Sequence, residues 1–269
     1  MLVGVSILDV IGLLTSFLFL GYASWKDLVS REVPDRLWLI FYPVGLLLIA
    51  IRLAVETSSW FLILISVASG AAVSVALSWL GLWGGADTKA FICLAMMNPL
   101  IPRLDGYLSD IVNPLFPLVV FSNSYAASLV SVVYPIKRNL QTRPLGGLFH
   151  GLETESVLRK AAAFLTGYRV SVAELESKPF LFPLESVDGE GSTLRRRFKF
   201  ELSVNSDRQK ELEEIKVAVS SGLLQAPVWA TLGLPFLLFV TLGLALSVLF
   251  GDIVWCAVSA LIRSVTTAF

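Results

Sequence analysis

Long apolar stretches separated by short polar segments dominate the chain. Five of them approach or exceed the roughly 20 apolar residues that a helix needs to cross a membrane: 3–25, 37–55, 60–83, 115–136 and 227–250. A sixth stretch, 88–101, would rise only about 21 Å as a helix, so it spans only when tilted or extended by non-helical chain. Composition agrees, because 16% of the 269 residues are charged, against about 25% in a soluble domain. These patterns predict an integral membrane protein.

The Lys and Arg residues beside the apolar stretches indicate an orientation, because such residues are enriched in cytoplasmic loops close to the membrane. If all six stretches cross, one side receives seven basic residues: Lys26, Arg31, Arg36, Lys89, Lys137, Arg138 and Arg143. The other side receives three: Arg52, Arg103 and Arg263. The sequence therefore predicts a mainly α-helical, multi-pass protein of the cell membrane with about six transmembrane helices and its N-terminus outside.

The composition changes at residue 137, and the segment 137–226 carries 14 Lys and Arg and 12 Asp and Glu. We therefore expect a membrane domain over 1–136, a small cytoplasmic α+β domain over 137–226 between helices five and six, and the sixth helix within 227–269. In the cytoplasmic domain, "ETESVLRKAAAFLTGY" and "SDRQKELEEIKVAV", the latter N-capped by Ser206, predict helices. Strands are predicted in "YRVSVAEL", "PFLFPLE" and "RRRFKFELSV", with "DGEGS" as a turn. The apolar face of the first helix either rests on the membrane or packs on its own domain.

Two aspartates follow apolar stretches that point the same way. Asp27 lies in "SWKDLVSREVPDR" after the first stretch, and Asp87 lies in "GLWGGADTKAF" after the third. Both should emerge on the cytoplasmic side and become neighbours if their helices pack together. Two adjacent carboxylates share one proton, as in the aspartic proteases that serve as the general example of this arrangement. The charged carboxylate then acts as general base on water, while the protonated one polarises a carbonyl.

The residues just before Asp87 have backbone roles of their own. Gly84 and Gly85 lack a Cβ, so they allow positive φ or the close approach of a partner chain. A flexible junction there could bring Asp87 towards Asp27 and leave room for a peptide. The alternative is that both aspartates, beside Lys26, Arg31 and Lys89, only fix the depth of helix ends at the headgroups.

"DLVSREVPD", followed about 60 residues later by "GGADTK", resembles the type IV prepilin peptidase family, and its archaeal preflagellin peptidase branch in particular. The resemblance implies a polytopic GxGD aspartic protease with Asp27 and Asp87 as its catalytic pair, and no metal or other cofactor. The family motif has glycine directly before the second aspartate, where this chain has Ala86. If that place requires positive φ, alanine costs on the order of 1 kcal/mol or more.

By the same resemblance, the expected partners are preflagellin and prepilin precursors and the lipid bilayer, with no nucleic acid. The enzyme would remove a short basic leader from the cytoplasmic end of a hydrophobic helix, and Glu32 and Asp35 are candidates for binding that leader. The chain has no CxxC pair between its first two apolar stretches, so methyltransferase activity is not expected. A transporter or channel subunit is disfavoured because it would place charges in mid-helix. A presenilin-like intramembrane protease is disfavoured because Asp27 lies in a basic loop.

Overall fold

The computed structural model describes residues 6–102, 113–142, 147–188, 195–200, 208–224 and 226–266. The chain forms two compact units. The first, which we call the helical unit, comprises Met1–Ser128 and Pro235–Phe269, and the second, which we call the mixed unit, comprises Leu129–Leu234. The predicted boundaries at 136 and 226 both fall within the mixed unit.

The helical unit consists of seven described helices, most of them apolar. They are α1 (Ile7–Val29), α2 (Arg36–Val55), α3 (Trp60–Trp79), α4 (Gly85–Met97), α5 (Phe116–Ser128), α10 (Phe236–Phe250) and α11 (Ile253–Thr266). Their core is built around α4, where every residue from Cys93 to Met97 is buried. α1, α2, α3 and α5 all pack against this short helix. It is therefore surrounded by protein on most of its surface.

Fewer helices are long enough to span a membrane than the six predicted. Among the described residues, four are long and apolar enough: Ile7–Val29, Arg36–Val55, Trp60–Trp79 and the composite Phe116–Gln141. A fifth is reached if the bent pair Phe236–Phe250 and Ile253–Thr266 forms one span. α4 has 13 residues, about 20 Å of helix, and is too short to count. The structure thus supports a mainly helical protein with four to five candidate spans, and the count of six remains a prediction.

The mixed unit contains short helices and two small sheets. Its helices are α6 (Val133–Gln141), α7 (Val157–Thr166), α8 (Val172–Ser177) and α9 (Arg208–Ser220), with a 3₁₀ turn at Leu129–Val132. The larger sheet is antiparallel in the order β1 (Gly167–Val170), β5 (Val228–Leu232), β2 (Leu181–Pro183). A hairpin pairs β3 (Glu185–Asp188) with β4 (Arg195–Phe198).

Two predictions in this part of the chain are wrong. The stretch 227–250 is not one helix: β5 is the central strand of its sheet, and α10 begins only at Phe236. A strand that is buried on both faces is as continuously apolar as a membrane helix, which explains the error. "YRVSVAEL" is only half strand, because Ser171 Oγ accepts the backbone N–H of Glu174 and starts α8.

The predicted helix in "ETESVLRKAAAFLTGY" is confirmed as α7, and strands form in "PFLFPLE" and in "RRRF". The helix of "SDRQKELEEIKVAV" is confirmed from Arg208, whereas its predicted cap, Ser206, lies outside the described residues. So do Arg103, Arg143 and most of the "DGEGS" turn.

Candidate active site

The register between α1 and α4 determines which residues meet. At one end of α4, Asn98 Nδ2 donates hydrogen bonds to Ser16 Oγ (2.6 Å) and to the carbonyl oxygen of Gly12 (3.3 Å) on α1. A Cβ on Gly12 would lie 2.5 Å from the carbonyl oxygen of Met97, so glycine is required for this close approach. The two chain segments are thereby fixed in contact near residues 16 and 98.

From this contact, the two aspartates lie at equal distances along their helices. Asp27 is eleven residues after Ser16, and Asp87 is eleven residues before Asn98. Each interval corresponds to about 16.5 Å of helix. α1 and α4 pack against each other in antiparallel directions, α1 running away from the shared contact and α4 towards it. Asp27 and Asp87 therefore lie at the same end of the unit. The two half-buried carboxylates interact electrostatically there.

Asp27 lies in the last turn of α1 and has polar neighbours from two directions. The backbone N–H of Leu237, in the first turn of α10, faces its carboxylate, and a helix N-terminus favours a negative charge. Arg31 also interacts electrostatically with Asp27. Arg31 has a φ of 56°, a left-handed conformation that is unfavourable for residues other than glycine and that often occurs at functional sites.

Asp87 occupies the first turn of α4. Its Oδ2 accepts the backbone N–H of Gly84 at 3.1 Å, which satisfies one of the amide groups that a helix start leaves without a partner. Gly84 has extended backbone with φ −76°, and Ala86 lies within the right-handed helix. Alanine is the most favourable residue in a helix. The concern that Ala86 replaces a glycine of positive φ therefore does not apply in this conformation.

The motif glycines border open space. A Cβ on Gly85 would meet nothing within 4 Å, and one on Gly84 would lie 3.4 Å from Asp87 Oδ2, an ordinary contact. Positive φ occurs instead at Gly81, with φ 72°, in the turn after α3. Packing among the described residues therefore does not require glycine at 84 or 85, and the side of Gly85 is open.

An aromatic cluster around Trp83 was not identified from the sequence. Trp83 is 4% exposed, and its ring packs against Phe91, Phe121 and Phe236 at centroid distances of 5.3, 6.0 and 5.4 Å. Its Nε1–H donates to the hydroxyl of Tyr125 at 3.1 Å. That hydroxyl is close enough to Asp87 for an electrostatic interaction.

A second feature missed by sequence reasoning holds the end of α1 against α10. Ser24 Oγ and Thr241 Oγ1 lie 2.8 Å apart in a hydrogen bond, one turn before Asp27. Single hydroxyls inside apolar stretches carry no recognisable sequence signal, although buried hydroxyls in membrane proteins commonly bond between helices. This bond fixes the position of Asp27 along the axes of α1 and α10.

The two acidic residues considered for leader binding, Glu32 and Asp35, follow Asp27 by five and eight residues. Asp35 precedes α2, and its Oδ1 receives Lys89 Nζ at 2.6 Å, although its side chain is 82% exposed. Lys89 lies two residues after Asp87, so this ion pair connects the start of α2 with the start of α4. Glu32 is exposed in the loop between α1 and α2.

Within the described part of the chain, no group of three or more His, Cys, Asp or Glu is placed to hold a metal ion. Among the residues that the structure describes, Asp27 and Asp87 thus have no third ligand of these types beside them.

Comparison with known proteins identifies relatives along most of the chain. Residues 14–133 match the family model described as "Type IV leader peptidase family". Residues 159–253 match the model "Archaeal Peptidase A24 C-terminus Type II". The first match contains both aspartates, whereas the second lies mostly in the mixed unit.

Two curated relatives agree with these matches. Preflagellin peptidase of Methanococcus voltae is 28% identical over 242 residues, covering 86% of this chain and 91% of the relative. Prepilin peptidase EppA of Methanothermobacter thermautotrophicus is 30% identical over 152 residues, covering 50% of this chain and 40% of the relative. These homologues support a protease with a leader peptidase function. The chain belongs to the type IV leader peptidase family, on its archaeal side.

Proposed function

We propose that this protein is a membrane aspartic endopeptidase that removes short basic leader peptides from preflagellin-like or prepilin-like proteins at the cytoplasmic membrane surface. Asp27 and Asp87 are its catalytic pair, and it needs no metal or other cofactor. The relatives' names supply the substrate class, and the type of protease follows from the paired carboxylates.

The observation that carries the proposal is the antiparallel register of α1 and α4. Two half-buried carboxylates lie at one end of the helical unit and interact electrostatically, and the side of Gly85 is open. Carboxylates that serve only to mark a helix end do not need to meet across two helices. The electrostatic interaction of Asp27 with Asp87 across two helices supports a role as a general acid–base pair.

The chemistry follows from one proton shared between the two groups. The ionised carboxylate takes a proton from water as the water oxygen attacks the scissile carbonyl carbon. The protonated carboxyl donates a hydrogen bond to the developing oxyanion. The C–N bond then breaks, and the leaving amine receives the proton that the base had taken. Water is the only co-reactant, so atoms and charges balance.

The site's position suits a substrate with a basic leader and a hydrophobic helix. That helix can insert into the bilayer alongside the apolar spans, while its polar end extends to the two aspartates at the helix ends. Gly85 has no side chain and faces open space, so a substrate backbone can approach Asp87 closely. Cleavage releases the leader and leaves the helix in the mature subunit.

The test is cleavage of a preflagellin-type precursor by the detergent-solubilised or reconstituted protein, comparing wild type with Asp27→Asn and Asp87→Asn. We expect each variant to lose at least about 100-fold in kcat/KM, the lower end for loss of general acid–base catalysis, while unfolding at nearly the same temperature. Asp252→Asn is the matched control. Asp252 caps α11 by accepting the backbone N–H of Trp255 at 2.9 Å, and Asn caps helices equally well.

The outcomes separate the two parts of the proposal. If wild type cleaves and either Asn variant still does, the aspartate pair is wrong although the peptidase function stands. If the folded wild type cleaves no precursor of either class, the peptidase function itself is wrong.

A further inference from the structure

One helix of the mixed unit exposes large aliphatic side chains that its own unit does not cover. In α7, Val157 is 82% exposed and Leu158 is 83% exposed. Ala161, three residues after Leu158, and Leu165, four residues after Ala161, are exposed on the same side of the helix. Ala163, on the opposite side, is fully buried. A helix attached to protein on one side and apolar on the other indicates a binding surface.

The helix packed against α7 has the same property. Asn139 of α6 donates hydrogen bonds to the carbonyl oxygens of Phe164 and Gly167, at 2.9 and 2.8 Å, and so ties the two helices together. Val133 and Leu140 of α6 are 62% and 66% exposed. We call the five residues Val133, Leu140, Val157, Leu158 and Leu165 the apolar surface of α6 and α7.

The identity of the partner follows first from where α6 occurs in the chain. α6 is the last part of Phe116–Gln141, a 26-residue segment that is long and apolar enough to cross a membrane. Packed helices lie 8–10 Å apart. When this segment crosses a bilayer, α7 is therefore held within about one helix diameter of the place where the chain leaves the hydrocarbon.

Charge gives the second indication. α6 carries Lys137 and Arg138, α7 carries Arg159 and Lys160, and neither helix contains an acidic residue. Arg138 and Arg159 pair with Glu174 and Glu155 of the same unit, which leaves Lys137 and Lys160 as the cations directed at the headgroups. Lys137 is exposed between Val133 and Leu140. An apolar face with flanking basic residues is the pattern of helices that lie in the membrane interface and are attracted to anionic lipids.

We propose that the apolar surface of α6 and α7 docks on an anionic lipid bilayer, with its aliphatic side chains at the headgroup–acyl boundary and its basic residues among the headgroups. This docking does not depend on peptidase activity. It holds the mixed unit to the membrane by a surface in addition to its covalent connections.

The experiment places a fluorescent label on this surface in the full-length protein. Leu158→Cys is labelled with bimane in a Cys93→Ala, Cys256→Ala background, and the protein is reconstituted in nanodiscs of phosphatidylcholine and phosphatidylglycerol. The matched control is Val217→Cys on α9, an apolar position of the same unit that is 66% exposed. Quenching is measured with shallow nitroxide lipids and with aqueous iodide. We expect lipid quenching at least about threefold stronger at position 158 than at 217, and the reverse order for iodide.

A second variant tests the electrostatic part of the proposal. K137Q/K160Q should weaken lipid quenching at position 158, as should nanodiscs made of phosphatidylcholine alone, while the ion pair of Arg159 with Glu155 is kept. Equal iodide access at 158 and 217 would overturn the proposal. So would protection of position 158 from both quenchers, because this would indicate a protein partner, such as a second copy of the chain, on the surface.

Discussion

The carboxylates at the two ends of the helical unit have different partners. At one end, Arg52 is 2% exposed and holds two acids, donating to Asp9 Oδ1 at 2.7 Å and to Glu56 Oε1 at 3.1 Å. At the other end, the carboxylate of Asp87 interacts electrostatically with that of Asp27, and Asp27 also interacts with Arg31. There the nearby lysine, Lys89, is paired with Asp35 instead.

This difference teaches how one residue type serves two purposes in one helix bundle. A carboxylate that is held by a buried guanidinium has a fixed charge and works as a brace between helices. On our proposal, Asp27 and Asp87 instead share a proton, each beside a backbone N–H near a helix start. We therefore expect substitutions at the first end to affect stability and those at the second end to affect catalysis.

The largest expected change in stability comes from removing the cation of the first end. Arg52→Met leaves Asp9 and Glu56 without their common partner, and breaking a buried ion pair in this way costs about 3–5 kcal/mol. The free energy of unfolding, measured by denaturant titration in mixed micelles, should fall by that amount, whereas the cleavage rate per folded molecule should not. Arg36→Met, at the exposed start of α2, is the control. A loss no larger than that of the control would contradict the role of Arg52 as a brace.

Substitution of Gly85 is expected to raise stability and lower activity. Gly85→Ala places a methyl group in open space at the first residue of α4, so it should raise stability by about 0.5–1 kcal/mol. The same methyl group occupies the space proposed for the substrate backbone, so we expect kcat/KM to fall at least about tenfold, equivalent to about 1.4 kcal/mol.

Gly21→Ala provides the comparison for that result. Gly21 lies in the middle of α1, and its added Cβ would also meet nothing within 4 Å. The gain in stability should be similar, with cleavage unchanged. If Gly85→Ala and Gly21→Ala are equally active, the substrate does not approach Asp87 over Gly85.

That Asp27 and Asp87 lie at the same end of their helices could be predicted from the sequence, because it depends only on the length and order of the apolar stretches. Apolar length predicts helices, and the alternation of crossings puts Asp27 and Asp87 on the same side before any contact is known. Which face each helix presents to its neighbour depends instead on Gly12 and on the bond from Asn98 to Ser16. These are single residues within apolar stretches, and no periodicity distinguishes them.

The errors have an equally physical origin. β5 and α10 form one uninterrupted apolar run in the sequence, and hydropathy does not distinguish a strand buried in a sheet from a helix buried in lipid. Gly233 and Pro235 mark the change between them. The short length of α4 also has a physical reason, because a helix enclosed by other helices need not match the bilayer thickness.

Tyr125 tests whether the site extends beyond the two carboxylates. Tyr125→Phe removes the acceptor of the Trp83 Nε1–H and the hydroxyl near Asp87. The loss of one hydrogen bond is worth about 0.5–1.5 kcal/mol, so we expect a reduction of about 2- to 12-fold in kcat. Trp83→Phe completes a double-mutant cycle. Coupling between the two substitutions is expected in kcat as well as in stability, and purely additive effects on kcat would restrict the pair to a structural role.

The smallest effects are expected at the ion pair between Lys89 and Asp35, and their signs are more informative than their size. An exposed pair of this kind contributes about 0–1 kcal/mol to stability, so neither Lys89→Gln nor Asp35→Asn should alter folding noticeably. If Asp35 binds the basic leader, Lys89 competes with the substrate for the same carboxylate. Asp35→Asn should then raise KM for a basic leader and Lys89→Gln should lower it, with kcat unchanged in both. If the pair only joins the starts of α2 and α4, both substitutions will change KM in the same direction or not at all. Their effects on KM will then be the same for a basic leader and for a leader whose lysines are replaced by glutamine.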